Sequence, residues 1–155
     1  MGSDVWIGID PGISGAIAIL PAPPTLPVWH KLPAMTLGPR KVLDGGALAA
    51  LLAEPGLRSV AIELVHSMPR QGVSSTFTFG AAFGAALALA QATGARVHTL
   101  RPDQWRAAVG LPKTASKDDA ISLALRLWPG VSVGRNHNAA ESLLLAEAAR
   151  RIDGG

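Results

Sequence analysis

Val5-Trp6-Ile7-Gly8-Ile9-Asp10-Pro11-Gly12-Ile13-Ser14-Gly15-Ala16-Ile17-Ala18-Ile19-Leu20 decides the fold. Two short apolar runs flank Asp10-Pro11-Gly12-Ile13-Ser14, a turn signal, so the stretch reads as a β-hairpin. Asp10 closes the first run. A carboxylate at the end of a buried strand is costly unless a cation or a donor meets it, and Asp10 is therefore the first candidate for chemistry.

Downstream, Pro21 to Pro27 holds four prolines and reads as a stiff, exposed connection, and Val28 to Leu32 as a third strand. Leu43 to Leu52 has helical spacing and stops before Glu54-Pro55-Gly56; Ser59 to Glu63 reads as a buried strand that again ends on an acid. Thr76 to Ala92 reads as a long helix, and Val97 to Leu100 as a fifth strand. Pro102 opens a short helix at its first turn. Ser116 caps a helix that runs to Trp128 and closes at Pro129-Gly130. A last helix extends from about Asn138 to Ile152. Three strands in series followed by alternating helices and strands imply an α/β fold, a mixed five-stranded sheet flanked by helices. With 155 residues and no repeat, one domain over 1–155 is expected.

Composition narrows the chemistry. There is no cysteine, which removes disulfides, thiolate metal sites and a cysteine nucleophile. Any metal must sit on oxygen or imidazole. The net charge is only +3, but Arg96 to Arg135 holds seven basic residues against three acidic ones. That segment can face phosphates or simply be a solvated surface. The first twenty residues carry Asp4 and Asp10 and lack the pattern of a signal peptide, so a cytosolic protein is expected. Gln71 to Ala95 carries no charge, yet it is mostly Ala, Gly, Ser and Thr, which partition weakly into lipid. It is expected to be buried in protein, with no membrane partner.

Strands ending on Asp10 and Glu63 can lie side by side and aim both carboxylates at one end of the sheet. Hard divalent cations favour oxygen ligands on such rigid elements. On the last helix Glu141 follows Asn138 by three residues and His137 by four, and either spacing puts the pair on one face. Each has a plain structural alternative. Glu63 can cap a helix, His137 and Asn138 can cap the last helix, and Glu141 can be a surface acid.

An ordered series of motifs runs along the chain: Ile7-Gly8-Ile9-Asp10-Pro11-Gly12 with Gly15, Ala61-Ile62-Glu63-Leu64-Val65, and Phe79-Gly80 with Gly84. The series continues through Met68-Pro69-Arg70-Gln71-Gly72 with Ser75-Thr76-Phe77, Arg101-Pro102 with Trp105-Arg106, Gly110-Leu111, Ser116-Lys117-Asp118, Leu127-Trp128-Pro129, and Ala140 to Ala146. It carries a resemblance to the RuvC-type Holliday junction resolvases, and in particular to their phage-like and organellar relatives. It implies a ribonuclease H-like fold, a homodimer, and Mg²⁺-dependent nicking of four-way DNA junctions, with Mn²⁺ as a substitute.

By that resemblance Asp10, Glu63 and Glu141 are metal-binding acids. Bacterial members usually carry a further acid where this chain has Asn138; Asn138 can coordinate through its carbonyl and His137 through a ring nitrogen. Lys117 falls at a basic position tied to catalysis or DNA contact. Arg106 and, more weakly, Lys113 and Arg70 are expected to meet phosphates, and Gln71 lies in the same loop region. His66 or Phe77 can stack on a base at the junction centre, although Phe77 equally suits a core. Two cations about 4 Å apart would then drive in-line displacement by water, leaving 5′-phosphate and 3′-hydroxyl ends. The alternatives are a ribonuclease H-like nuclease acting on another branched or RNA-containing substrate, and a junction binder with impaired cleavage. An actin-like ATPase shares the Ile7 to Gly12 pattern but needs a second lobe that this length does not supply.

Overall fold

A computed structural model describes residues 3–65 and 69–154. The main sheet has five strands in the order β3-β2-β1-β6-β7: β1 (Val5–Asp10), β2 (Ala16–Pro21), β3 (Val28–Lys31), β6 (Leu57–Glu63) and β7 (Arg96–Leu100). β1 pairs antiparallel with β2 and parallel with β6, and β6 pairs parallel with β7. The expected mixed sheet is what forms, with β1 at its centre.

β1 is buried throughout, so its two faces must both be covered. The twofold side-chain period divides them. Val5, Ile7 and Ile9 join Ile17, Ile19, Val60 and Ile62 in one core under α1 (Gly45–Leu52) and α2 (Val73–Ala92). Trp6 and Ala61 join the opposite core with Leu144 and Leu145 of α5 (His137–Ile152) and Trp105 of α3 (Pro102–Ala108). Gly8 and Asp10 share the α5 side of β1. α4 (Lys117–Leu127) packs beside α5, capped by the Ser116 hydroxyl as expected.

Three expectations are corrected. Leu43 does not begin a helix: it ends β5 (Arg40–Leu43), which pairs with β4 (Ala34–Leu37) in a separate two-stranded ribbon. The helix starts after Asp44, whose carboxylate accepts from the Ala47 N–H. α2 begins at Val73 rather than Thr76. Nor is α2 buried in protein. By length and composition it could cross a membrane, but only Ala82, Ala86 and Ala90 are buried among its residues, and its other faces are half-buried or open. Its small residues fit the sheet on one side and leave the opposite side bare.

α5 is held at both ends. At its start the Asn136 side chain caps it, so neither His137 nor Asn138 does. At its finish Asp153 reaches three strands. Its carboxylate accepts from the Ser59 hydroxyl at 2.7 Å and the Trp6 indole N–H at 3.2 Å, and it meets Arg96 at 2.9 Å and His98 at 3.0 Å. Trp6 of β1, Ser59 of β6 and Arg96 of β7 lie toward the starts of their strands, away from Asp10, and His98 stands at the middle of β7.

Candidate metal centre

Asp10 and Glu63 are the last residues of two adjacent parallel strands, and the register Ile9↔Ile62 sets them side by side. Both fall on the α5 side of the sheet by the alternation that points Ile9 and Ile62 away. Glu141 comes down from the second turn of α5. Its approach depends on Gly8, because a Cβ at that position would overlap the Ser142 carbonyl oxygen and the Ala146 nitrogen. Helix and strand backbones touch there, and no other residue permits that approach.

One carboxylate oxygen from each of Asp10, Glu63 and Glu141 lies within 4.8 Å of the others. Burial pushes the Asp10 carboxyl up to about 8, and the charges of Glu141 and Glu63 push the same way while Lys117 opposes them. Glu141 is raised to about 7, first by burial and then by Glu63, against Arg106 and Lys117. Glu63 is also raised by burial, with the Trp105 hydrogen bond and Arg106 pulling it down. Three acids so placed resist ionising together unless a cation joins them. The donors are all oxygen, which fits a hard divalent ion.

Trp105 joins the candidate site without having been assigned to it from the sequence. It is fully buried, and its indole N–H donates to Glu63 Oε2 at 2.7 Å. One oxygen of Glu63 is thereby fixed. The signal was the Trp105-Arg106 pair, since a buried indole needs an acceptor. Arg106 sits over the Trp105 ring, 5.4 Å from its centroid, and its charge reaches Glu63 and Glu141.

Lys117 also faces the acids, since its charge lowers both Asp10 and Glu141. Its Nζ lies 3.2 Å from His137 Nε2. An ammonium only donates, so that imidazole nitrogen accepts, and burial and the Lys117 charge both favour neutral His137. His137 stands outside the three-acid group. Asn138 lines the same cavity as Asp10, and its amide donates to the Ser14 carbonyl at 2.7 Å, pinning the β1–β2 turn to α5. That cavity, about 660 Å³, is walled by residues 11–15 on one side and by Ser74, Ser75, Thr78 and Phe79 of α2 on the other.

The remaining expected contacts are more scattered. Lys113 is exposed, and its charge acts on Asp103 rather than on the acids. Arg70 is exposed with φ +68°, a left-handed conformation unusual outside glycine. Gln71 donates to the Ser75 hydroxyl at 3.1 Å. Phe77 is 63% exposed and so belongs to no core. His66 lies outside the described residues.

No protein-family model and no curated protein matches the chain by sequence. Solved structures do match it by shape. The chain superposes on RuvC of T. thermophilus in complex with a Holliday junction substrate, with a TM-score of 0.72 and 19% identity over 97% of this chain and 95% of that one. A second Thermus thermophilus RuvC structure matches with a TM-score of 0.63 and 20% identity over the same shares. The likeness is one of fold: a RuvC-like, ribonuclease H-like architecture carrying an acidic triad in which a metal ion would fit.

Proposed function

We propose that this chain is a Holliday junction resolvase of the RuvC type, a divalent-metal-dependent endonuclease that nicks four-way DNA junctions symmetrically and leaves 5′-phosphate and 3′-hydroxyl ends. The observation that carries the reading is the convergence of Asp10, Glu63 and Glu141 within 4.8 Å at one end of a RuvC-like sheet.

Asp10, Glu63 and Glu141 would hold Mg²⁺, or Mn²⁺ in its place, with Asn138 beside them. When bound, such ions neutralise charge at a scissile phosphate and make an attacking water more acidic. The protein's own part is positioning. Trp105 holds Glu63 Oε2 and so fixes the carboxylate beside the other two acids. Lys117, kept in place by His137, and Arg106, seated on Trp105, hold positive charge toward the site, where they would bind phosphate oxygens and steady the charge on the leaving oxygen. Water is the nucleophile, so no serine or histidine attack is needed. Phe79 and residues 11–15 wall the cavity that would receive the strand.

Symmetric nicking needs two sites. The open face of α2, with exposed Gly80, Gly84 and Ala88 and no charged residue, would pack against a second copy and set two triads on two strands of one junction.

Labelled four-way junction, plain duplex and RNA–DNA hybrid are incubated with wild type and with Asp10→Asn in Mg²⁺ and in Mn²⁺. Paired nicks in the junction alone, absent in the variant, are expected. Cleavage that persists in Asp10→Asn would sink the metal site, and preference for the hybrid would move the reading to another ribonuclease H-like nuclease.

A further inference from the structure

The β4–β5 ribbon packs Leu43 against the core and otherwise stands apart from it. All of Ala34 to Lys41 is exposed, including Met35 at 44% and Leu37 at 63%. Its second strand lies against α2, and between them runs a groove of about 230 Å³ lined by Arg40, Lys41, Phe77, Thr78, Ala81 and Ile13, among others. Ile13 and Thr78 also line the cavity that holds Asp10. The groove therefore adjoins the cavity that Asp10 lines.

Its electrostatics are one-sided. No acidic residue lines the groove, and none occurs between Pro11 and Leu43 or between Leu64 and Pro102, the two stretches that supply its lining. Among the described residues neither Arg40 nor Lys41 forms an ion pair. Arg40 is nevertheless aimed: its guanidinium lies over the exposed Phe77 ring, 5.0 Å from the centroid. An aromatic face orients a guanidinium while leaving its outward N–H groups unspent. Unpaired cations in a groove lined by no acid, next to a carboxylate site that takes phosphate only with help from metal, complement a polyanion.

We propose that the β4–β5 ribbon and α2 form a docking groove for the sugar–phosphate backbone of one duplex arm of the substrate, with Arg40 and Lys41 each meeting a phosphate and Phe77 acting as the seat of Arg40. The proposal rests on the nucleic-acid reading above and deepens it. A two-stranded ribbon also has the width that a duplex major groove admits, so the exposed Leu37-Gly38-Pro39 tip can follow the arm outward. The acids act on one phosphate; the ribbon holds the arm at a distance from it.

The test measures binding of wild type and variants to a four-way junction in Ca²⁺ or without metal, across a salt series. Each phosphate contact contributes about 0.9 to the slope of log affinity against log salt. Arg40→Ala/Lys41→Ala is expected to lower the slope by about 2 and the affinity roughly tenfold near physiological salt. Arg40→Lys/Lys41→Arg should keep most of both. Arg58→Ala/Arg126→Ala, which removes the same charge elsewhere on the surface, should keep the wild-type slope. An unchanged slope in Arg40→Ala/Lys41→Ala overturns the groove while leaving the resolvase reading intact. Equal losses in the two double-alanine variants overturn it too, because net charge would then be the cause. If sedimentation shows that Arg40→Ala/Lys41→Ala turns a dimer into a monomer, the face is an interface between copies and the proposal fails. Wild type that binds no nucleic acid at all sinks the resolvase reading and the groove together.

Discussion

Asp10 ionises only against resistance, and that has a consequence for the metal-free protein. Its folded carboxyl, raised to about 8, stays protonated where the unfolded one has released its proton near 4. Glu141 behaves likewise up to about 7. Groups raised in the folded state contribute stability that is complete below the unfolded value and is lost as pH climbs through the folded one. Without divalent ions the thermal midpoint should therefore fall from about pH 5 to pH 8. Asp10→Asn should flatten this fall and raise the metal-free midpoint at pH 8 by roughly 2–4 °C per kcal/mol, with at least ~1 kcal/mol expected. Mg²⁺ at a hundred times its dissociation constant should stabilise wild type by about 2.7 kcal/mol and Asp10→Asn far less. Scanning calorimetry in chelator and in Mg²⁺ decides it; a midpoint that rises from pH 5 to pH 8 without metal would contradict the burial argument. Trp105→Phe keeps most of the volume and removes the donor to Glu63. Loss of a partner that orients a ligand typically costs 10–100-fold in metal affinity or turnover, so the Mg²⁺ needed for half-maximal cleavage should rise by about that factor, and excess Mg²⁺ should restore part of the rate. Asp10 and Glu63 were legible as candidates because each is an acid ending an apolar run. Trp105 was not, since the meaning of its indole depends on α3 lying against the end of β6, a contact between residues 42 positions apart.

At the scale of elements, the site depends on α5 pressing onto β1. Gly8→Ala puts a methyl group where the Ser142 carbonyl and the Ala146 amide already stand, so the helix must lift. The expected cost is roughly 3 kcal/mol or more, with Glu141 carried away from Asp10, and denaturant unfolding of the purified variant measures it. Stability within ~0.5 kcal/mol of wild type would show that α5 is free to shift. The strands and helices of the core were readable because β1, β2 and β6 are apolar runs bounded by Pro, Gly or acid, and because Pro102 and Ser116 mark helix starts. The β4–β5 ribbon escaped for the opposite reason. Ala34 to Leu37 is wholly exposed, so no buried face imposes the alternation that betrays a half-buried strand. The start of α2 escaped as well: Gly72 precedes it without a capping side chain, and nothing in Val73-Ser74-Ser75 announces the first turn. Its uncharged composition suggested burial because an open face built of Ala, Gly, Ser and Thr has the same composition as a core face.

For the whole molecule, the decisive quantity is copy number. Gly84 is exposed, and a Cβ built there meets nothing within 4 Å. Gly84→Arg should therefore leave the protomer folded, and even favour its helix by up to ~1 kcal/mol, while placing a charge on the expected twofold face. Sedimentation at micromolar concentration should find wild type dimeric and Gly84→Arg monomeric, with symmetric nicking lost in the variant. A monomeric wild type would remove the basis for paired nicks. Gly8 carries a different lesson about descent. On the proposed reading the three acids serve only the reaction, so a lineage that gave up cleavage could replace them freely. A side chain at Gly8 would dismantle the architecture itself, whatever the protein had come to do. A non-cleaving cousin would thus betray its ancestry by that hydrogen atom long after its carboxylates had drifted away.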